Sequence, residues 1–245
     1  MITLQLIGIG TGNPAHLTGE AVAVLNTADL ILLPRKENAP DLAELRRSIC
    51  ATMLNRQVPV AEFDMPVRAG DAYVQAVHAW HDAIAAAWID AIAAHLPQGG
   101  TVALLVWGDP SLYDSTLRIA ARLPEVSVRV VPGITSIQAL TAAHTIPLNT
   151  LAGAVTITTG RLLRSGGWPA GAETLVVMLD GDCAFQTLDP EGVRIWWGAY
   201  LGMPQQALDH GPLAEAGPRI VATRAELRAR HGWIMDVTLL RKEPR

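Results

Sequence analysis

The stretch that decides the fold is Thr101-Val102-Ala103-Leu104-Leu105-Val106-Trp107-Gly108-Asp109-Pro110-Ser111-Leu112-Tyr113. Its first part is apolar on both faces, which is typical of a buried strand in a parallel sheet. Gly108 and Pro110 then end the strand, with an acid between them. Gly108 has no Cβ, so a ligand can approach the backbone there. Open parallel sheets bind ligands at the carboxyl ends of their strands, so this turn is a candidate binding site. The alternative is an ordinary turn in which Asp109 caps the next helix.

Composition narrows the class of protein. The chain has 245 residues, 50% of them hydrophobic and 17% charged, which indicates a large core and room for two domains. A net charge of −4 without any basic run argues against nucleic-acid binding. Cys50 and Cys183 lack a nearby cysteine partner, which favours buried thiols in a reducing compartment. There is no signal-peptide pattern, and the longest alanine-rich stretch, 83–94, is too short to span a bilayer. We therefore expect a cytoplasmic protein with no membrane partner.

The first part of the chain alternates strands and helices, which predicts a parallel sheet with helices on its faces. The predicted strands are 3–9, 29–33, 58–63, 101–105 and 126–131. The predicted helices are 19–27, 40–54, 71–96, 115–123 and 135–144, the first of them capped by Thr18.

The second part has shorter spacers, or spacers rich in Gly and Pro, between its predicted strands. Those strands are 154–159, 174–179, 193–199, 219–223 and 234–240. This pattern predicts a mixed or mainly antiparallel α+β domain. The expected fold class is α/β, with an N-terminal domain over 1–148 and a C-terminal domain over 149–245.

Three glycine-bearing loops, 10–14, 108–113 and 132–136, follow strands of the first domain. Because the carboxyl ends of parallel strands share one sheet edge, these loops can line one cleft. The first loop does not fit a dinucleotide fingerprint, since Asn13 occupies the position of the third glycine. None of the loops continues into Gly-Lys-Ser/Thr, so a phosphate-binding loop is not indicated either. A small molecule held largely by backbone groups fits this pattern better.

The chain resembles the tetrapyrrole methylase family. The segments that carry the resemblance are Gly10-Thr11-Gly12-Asn13-Pro14-Ala15-His16-Leu17-Thr18, Gly108-Asp109-Pro110-Ser111-Leu112-Tyr113, Val131-Pro132-Gly133-Ile134-Thr135-Ser136, Ile146-Pro147-Leu148 and Thr174-Leu175-Val176. Thr11 and Asn13 depart from the family pattern, which has a proline and an acid there. The other segments match it, and the resemblance covers nearly the whole chain.

The resemblance implies an S-adenosylmethionine-dependent enzyme of two domains, an N-terminal parallel αβα domain and a C-terminal mixed domain, with the cofactor cleft between them. It also implies a homodimer, a tetrapyrrole substrate and no metal. The cofactor-binding residues that it implies are Gly108, Asp109, Pro110, Leu112, Tyr113, Thr135, Ser136, Met178 and Leu179.

Further segments indicate which reaction of this family to expect. Those at 33–36, 63–68, 200–204 and 230–236 resemble the branch of this family that methylates a ring carbon of a corrin precursor and releases acetate. Such a reaction needs a base to activate water and cations to bind the carboxylates of the substrate.

The candidate base is Asp64, with Tyr113 as its polar neighbour, and the candidate substrate-binding residues are Arg35, Lys36 and Arg68. Each of these could instead be a solvated loop residue. His16 and His144 are alternative bases. His78 and His81 lie one helical turn apart, but they lack a third ligand for a metal.

The sequence is also compatible with three other functions. The first is that of a C-methyltransferase of the same fold that acts on a different corrin precursor, that is, on another precorrin. The second is a nicotinamide-dependent oxidoreductase, suggested only by the glycine-rich first turn. The third is a tetrapyrrole carrier without catalytic activity.

Overall fold

The structure is a computed structural model that describes residues 1–35, 40–68 and 73–242. The predicted substrate ligand Lys36 lies outside the described residues. By its internal contacts the chain divides into two compact units, Met1–Thr135 and Ser136–Arg245. This division assigns the helix Ser136–His144 to the second unit, because the helix packs against two strands of that unit. The domain boundary predicted from the sequence, at 148–149, assigns the same helix to the first domain.

The first unit contains the predicted parallel sheet. Its strands are β1 Ile2–Gly8, β2 Leu30–Arg35, β3 Val60–Asp64, β4 Gly100–Val106 and β5 Val126–Val131. Its helices are α1 Gly19–Leu25, α2 Pro40–Met53, α3 Tyr73–His95 and α4 Thr116–Ala120, and a short 3₁₀ turn spans Pro14–His16. All strand pairs are parallel, in the order β3-β2-β4-β1-β5. The predicted N-cap is confirmed, since the Thr18 hydroxyl accepts a hydrogen bond from the Ala21 N–H at 3.0 Å.

The helices cover the two faces of this sheet in pairs. Alternate residues of β4 point to opposite faces, with Ala103 and Leu105 on one side and Val102 and Leu104 on the other. The first pair packs with apolar residues of α1 and α2, and the second pair with those of α3 and α4. The result is an αβα sandwich whose strands are buried on both sides.

The order of the strands fixes where a ligand can bind. After β1 the chain crosses β4 to form β2, whereas after β4 it crosses β1 to form β5. Since β1 and β4 are neighbours and their following helices lie on opposite faces, a crevice opens outside their carboxyl ends. The turn that follows β4 therefore lies at the topological switch point of the sheet.

The second unit is a mixed sheet, as predicted. Its strands are β6 Val155–Thr159, β7 Thr174–Met178, β8 Val193–Ala199, β9 Ala207–Pro212 and β10 Asp236–Lys242. Its helices are α5 Ser136–His144, α6 Gly160–Gly166 and α7 Leu213–His231, with a 3₁₀ turn at Ala184–Thr187. The strand order is β6-β7-β10-β8-β9, in which β6 and β7 are parallel and the other pairs are antiparallel.

One predicted strand of this unit is wrong. Residues 219–223 belong to helix α7, because the buried residues recur at helical spacing and bring one face onto the core. Those buried residues are Leu213, Ala216, Gly217, Ile220 and Arg224. The sequence also gave no signal for strand β9 or for helix α6. No helix among the described residues is long and apolar enough to cross a membrane.

Three strand ends of the first unit meet at glycines. A Cβ built on Gly133 would lie 2.1 Å from the Gly108 carbonyl oxygen and 2.8 Å from the Gly8 Cα. A Cβ on Gly8 would lie 2.6 Å from the Gly133 nitrogen. These neighbours are backbone atoms, which cannot rotate away as the end of a flexible side chain can. We call Gly8, Gly108 and Gly133, with the backbone that they bring together, the glycine junction.

The junction gives a direct test of the packing. Replacing Gly133 by alanine forces the ends of β1, β4 and β5 apart, so we expect a loss of about 1–3 kcal/mol in the free energy of unfolding. The matched control is Gly166→Ala at the end of α6, where an added Cβ meets nothing within 4 Å. The control should be neutral or slightly stabilising. Urea unfolding followed by circular dichroism measures both variants. Equal stability of the two variants would contradict the close approach of the strands.

Candidate functional site

The loops after β1 and β4 are joined by backbone hydrogen bonds. The Gly108 N–H donates to the Gly10 carbonyl at 2.8 Å, and the Gly10 N–H donates to the Gly108 carbonyl at 3.4 Å. Gly108 has a φ of 60°, in the left-handed region that favours glycine. A Cβ on Gly108 would lie 3.7 Å from the Thr135 Cα, so the turn after β4 and the turn after β5 lie side by side.

Asp109 fastens these two turns together. Its Oδ2 accepts the Gly133 N–H at 2.9 Å, and its Oδ1 accepts the Ser111 N–H at 2.8 Å as well as the Ser111 hydroxyl. Burial favours the neutral acid, but these hydrogen bonds outweigh burial and lower the pKa of Asp109. The carboxylate therefore already accepts three hydrogen bonds from the protein. Its main effect is to hold the turns in position, with limited accepting capacity left for a ligand.

The rest of the turn after β4 presents both buried and exposed side chains. Pro110 is buried and Leu112 is partly buried, with the Leu112 N–H donating to the Asp109 carbonyl at 3.2 Å. Tyr113 has a φ of 49°, an uncommon value for a residue with a side chain, and its side chain is exposed. A tyrosine held in this conformation at the mouth of the crevice can contact a bound molecule.

Thr135 and Ser136 lie where the turn after β5 leads into helix α5. The helix begins at Ser136. Hydroxyl groups and backbone N–H groups at such a position can bind a polar ligand group. The structure thus brings Gly108, Asp109 and Thr135 together, as the sequence predicted.

In the second unit, the predicted residues Met178 and Leu179 lie at the end of β7. Met178 is partly buried, whereas Leu179 is 64% exposed with a φ of 50°. The turn that follows is held by the buried Arg224, which donates to the Asp180 carbonyl at 2.8 Å and the Gly181 carbonyl at 3.0 Å. Arg224 also pairs with Asp236 at 2.8 Å. An apolar side chain is therefore presented to solvent from a firmly held turn.

The predicted base and one predicted cation are bound to each other. Arg35, at the end of β2, donates from Nε to the Asp64 Oδ1 at 2.7 Å and from Nη2 to the Asp64 Oδ2 at 3.0 Å. The hydrogen bonds from Arg35 lower the pKa of Asp64, and those to Asp64 raise the pKa of Arg35. A carboxylate with a lowered pKa is a weaker base, so Asp64 is less suited to accept a proton while Arg35 holds it.

The remaining candidates are Arg68, His16 and His144. Arg68 is exposed after β3. The His16 Nδ1 is 3.1 Å from the Thr11 hydroxyl, and the His144 Nε2 is 3.0 Å from the Trp197 carbonyl oxygen. Burial lowers the pKa of His144. The described part of the chain contains no group of three or more His, Cys, Asp or Glu side chains that could hold a metal ion.

Asp109 gives a pH-dependent prediction. Replacing it by asparagine sets an amide N–H₂ against either the Gly133 or the Ser111 N–H, so we expect a loss of about 1–3 kcal/mol of stability at pH 7. The folded-state pKa of Asp109 lies below the ordinary value of about 3.9, so the stabilisation by the carboxylate is complete above about pH 4.

As the pH falls through the folded-state pKa, that stabilisation is lost, so the difference between wild type and Asp109→Asn should shrink below about pH 4. Thermal unfolding between pH 3 and pH 7 measures it. Asp90→Asn, which changes an exposed acid of α3, is the control and should follow the wild type. A difference that stays constant over this pH range would show that the ionised carboxylate does not hold the turns.

The chain is similar to known proteins over most of its length. Residues 3–217 match the model of the family of tetrapyrrole (corrin/porphyrin) methylases. The chain is 47% identical over 251 residues to the precorrin-6A synthase (deacetylating) of a Sinorhizobium species, covering 99% of this chain and 96% of the relative. A crystal structure of a cobalamin synthesis related protein (CobF) from Corynebacterium diphtheriae is 40% identical, with a TM-score of 0.87 over the whole of both chains.

A more distant structure shares the fold. It is the uroporphyrin-III C-methyltransferase of Thermus thermophilus in complex with S-adenosylhomocysteine, which is 21% identical with a TM-score of 0.60. It covers 97% of this chain and 91% of its own. The family model spans most of the chain, and the similarity to the Sinorhizobium relative runs over nearly its whole length. The chain belongs to the tetrapyrrole methylase family, whose members are methyltransferases.

Proposed function

We propose that the protein is an S-adenosylmethionine-dependent C-methyltransferase of cobalamin biosynthesis. In this proposal it methylates C-1 of precorrin-5, releases acetate and gives precorrin-6A. The proposal rests on the 47% identity to a precorrin-6A synthase over nearly the full length of both chains. The structural observation that supports it best is the glycine junction, which lies at the topological switch point of the first unit.

The residues present fit the cofactor. The close contacts of the junction are between backbone atoms, and Gly108 has no side chain that could block the approach of a ligand to the turn after β4. We propose that Gly108, Asp109, Pro110, Leu112 and Tyr113 hold the cofactor with Thr135 and Ser136, and that Met178 and Leu179 contact it as well. S-adenosylmethionine supplies an electrophilic methyl group on its sulfonium sulfur. The part of the chain is to hold that group and the acceptor carbon in line and to keep water from competing.

Cationic residues at the same sheet edge are proposed to bind the tetrapyrrole, whose side chains end in carboxylates. Arg35 and Arg68 follow β2 and β3, and Lys36 directly follows Arg35. A substrate carboxylate can replace Asp64 on the guanidinium of Arg35, because both offer the same pair of oxygens. Asp64 would then lose the hydrogen bonds that lower its pKa and become a better base for the water that attacks the acetyl group. Substrate binding and base activation are linked in this way.

The environment of the protein is also a proposal. The two cysteines are free and buried, and burial raises the pKa of each to about 11, which makes both thiols poorly reactive. Such thiols suit the reducing cytoplasm. By its resemblance to the family we propose that the protein is a homodimer that binds neither nucleic acid nor membrane.

A second candidate is a sister enzyme that acts on another precorrin. The observation in its favour is 32% identity over 152 residues to the precorrin-2 C(20)-methyltransferase of a Sinorhizobium species. That alignment covers only 59% of this chain, so the first proposal is preferred.

The test is incubation of the protein with precorrin-5 and S-adenosylmethionine carrying a deuterated methyl group. Mass spectrometry follows the product and the released acetate. We expect one labelled methyl group in the product for each acetate released. Methylation of precorrin-2 instead would favour the sister enzyme, and binding of precorrin-5 without any methyl transfer would favour a carrier.

The same assay tests the base. Asp64→Asn should slow acetate release by about a hundredfold or more, the usual contribution of a positioned base. Glu44→Gln is the matched control, since Glu44 is also an exposed acid bound to an arginine, at 2.9 Å from Arg47. It should keep wild-type rates. Full acetate release by Asp64→Asn would remove Asp64 from the mechanism and leave the assignment of the reaction intact.

A further inference from the structure

Arg46 of helix α2 reaches the carboxyl end of β4, close to the turn that carries Asp109. Its Nε donates to the Leu105 carbonyl at 3.1 Å, and its Nη1 donates to the Leu42 carbonyl at 3.3 Å. Its guanidinium carbon lies 5.1 Å from the centre of the Trp107 ring, a distance typical of a cation–π contact. The guanidinium is thus held in a fixed position beside Trp107, the residue that precedes Gly108.

The pairing of the sheet explains why Arg46 can reach this point. Strand β2 pairs with β4 only from Leu30 to Leu32, opposite Val102 to Leu104. Beyond Leu104 the side of β4 that faces β2 has no strand beside it, and the guanidinium takes the Leu105 carbonyl there. This hydrogen bond uses the Nε–H of Arg46, and the contact with Leu42 uses one Nη1–H. The other N–H donors of the guanidinium remain available for a ligand.

The charge of Arg46 has no ion-pair partner among the side chains that the structure describes. No carboxylate among the described residues lies within ion-pair distance of it, and Asp114 attracts it only from farther away. Burial lowers the pKa of Arg46 to about 10, so it remains a cation at neutral pH. Its sequence neighbour Arg47 is the opposite case, with Glu62 at 2.6 Å and Glu44 at 2.9 Å.

Two donors at this place lack an acceptor. Within the described part of the chain, the Arg46 Nη2 has no hydrogen-bond partner, and the Trp107 Nε1 is buried without one. The Trp107 Nε1 is a buried donor of the kind that is normally satisfied and costs free energy when it is not, whereas the Arg46 side chain is partly buried. A planar anion with two oxygens would satisfy the guanidinium and neutralise its charge in a single contact.

We propose that Arg46 binds a carboxylate of one of the two reactants beside the turn after β4. The carboxylate belongs either to the methionine part of S-adenosylmethionine or to a side chain of the tetrapyrrole. This inference rests on the proposed function, since it takes both reactants from it. It adds a binding residue that neither the sequence motifs nor the family resemblance indicated.

The experiment compares Arg46→Gln with Arg47→Gln, which removes the neighbouring arginine whose partners are protein acids. Calorimetry measures the affinity for S-adenosylhomocysteine and for 5′-methylthioadenosine, which keeps the nucleoside and sulfur but has no carboxylate. Steady-state kinetics give KM for precorrin-5. Arg47→Gln should match the wild type in all three measurements.

Two results of Arg46→Gln support the inference and distinguish the sources of the carboxylate. If Arg46 binds the cofactor, affinity for S-adenosylhomocysteine falls about tenfold to a hundredfold and that for 5′-methylthioadenosine is unchanged. If it binds the tetrapyrrole, both nucleoside affinities are unchanged and KM for precorrin-5 rises by a similar factor. Wild-type values in all three measurements would overturn the inference.

Arg46→Lys covers the case in which the glutamine variant does not fold. Lysine keeps the charge and one donor but not the planar fork, so we expect an intermediate loss in the same measurement. Wild-type behaviour of the lysine variant in all three measurements would also overturn the inference.

A wild-type protein that binds neither nucleoside and leaves precorrin-5 unchanged would overturn the proposed function together with this inference. An active wild type with unaffected Arg46 variants would overturn the inference alone.

Discussion

The structure depends on the contact of three backbones without side chains between them. Gly8, Gly108 and Gly133 bring the ends of β1, β4 and β5 so close that a single added methyl group would meet backbone atoms. This contact lies at the switch point of the sheet, which is the place where an α/β sheet binds its ligand.

The polar groups around the junction divide into those that hold the site and those that are still available to a ligand. Asp109 belongs to the first kind, because its carboxylate accepts hydrogen bonds from two different turns. Arg35 and Asp64 satisfy each other at the ends of β2 and β3, so an anion must compete for Arg35. Arg46 belongs to the second kind, since no acid with a described side chain lies within ion-pair distance of it. Protein hydrogen bonds thus hold the guanidinium groups of Arg35 and Arg46 in place, and in the proposed function this lowers the cost of ordering them when a reactant binds.

Much of the first unit could be predicted from the sequence, and the reasons are local. The apolar run 101–105 and the glycines after it predict a strand and its turn. The five strands and the five helices predicted within residues 1–148 are all present, most of them with ends shifted by a few residues. Residues 219–223 were misread because β-branched residues favour strands locally, whereas the burial of Ile220 and Arg224 on one helical face decides the outcome. Strand β9 contains Asp209, His210, Gly211 and Pro212, which carry no strand signal, and it forms by pairing with β8.

The site was predictable as a set of loops but not as a set of contacts. Motif spacing indicated Gly108, Asp109 and Thr135, and the structure brings them together. The spacing of the motifs could not indicate that the Asp109 oxygens accept hydrogen bonds from the neighbouring turn. It also could not indicate that Arg35 and Asp64 pair, because both contacts depend on the order of the strands. Arg46 had no signal at all in sequence. The next residue, Arg47, is also an arginine, but it points in a different direction from α2 and pairs with Glu44 and Glu62.

The central claim is that the turns beside the glycine junction bind the methyl donor together. Amide hydrogen exchange, followed by mass spectrometry with and without saturating S-adenosylhomocysteine, measures this directly. If the claim is right, exchange slows in the peptides covering 8–12, 108–113 and 133–135 at once, while helix α3 is unchanged. Slowed exchange elsewhere in the chain, with both turns unaffected at saturation, would contradict it.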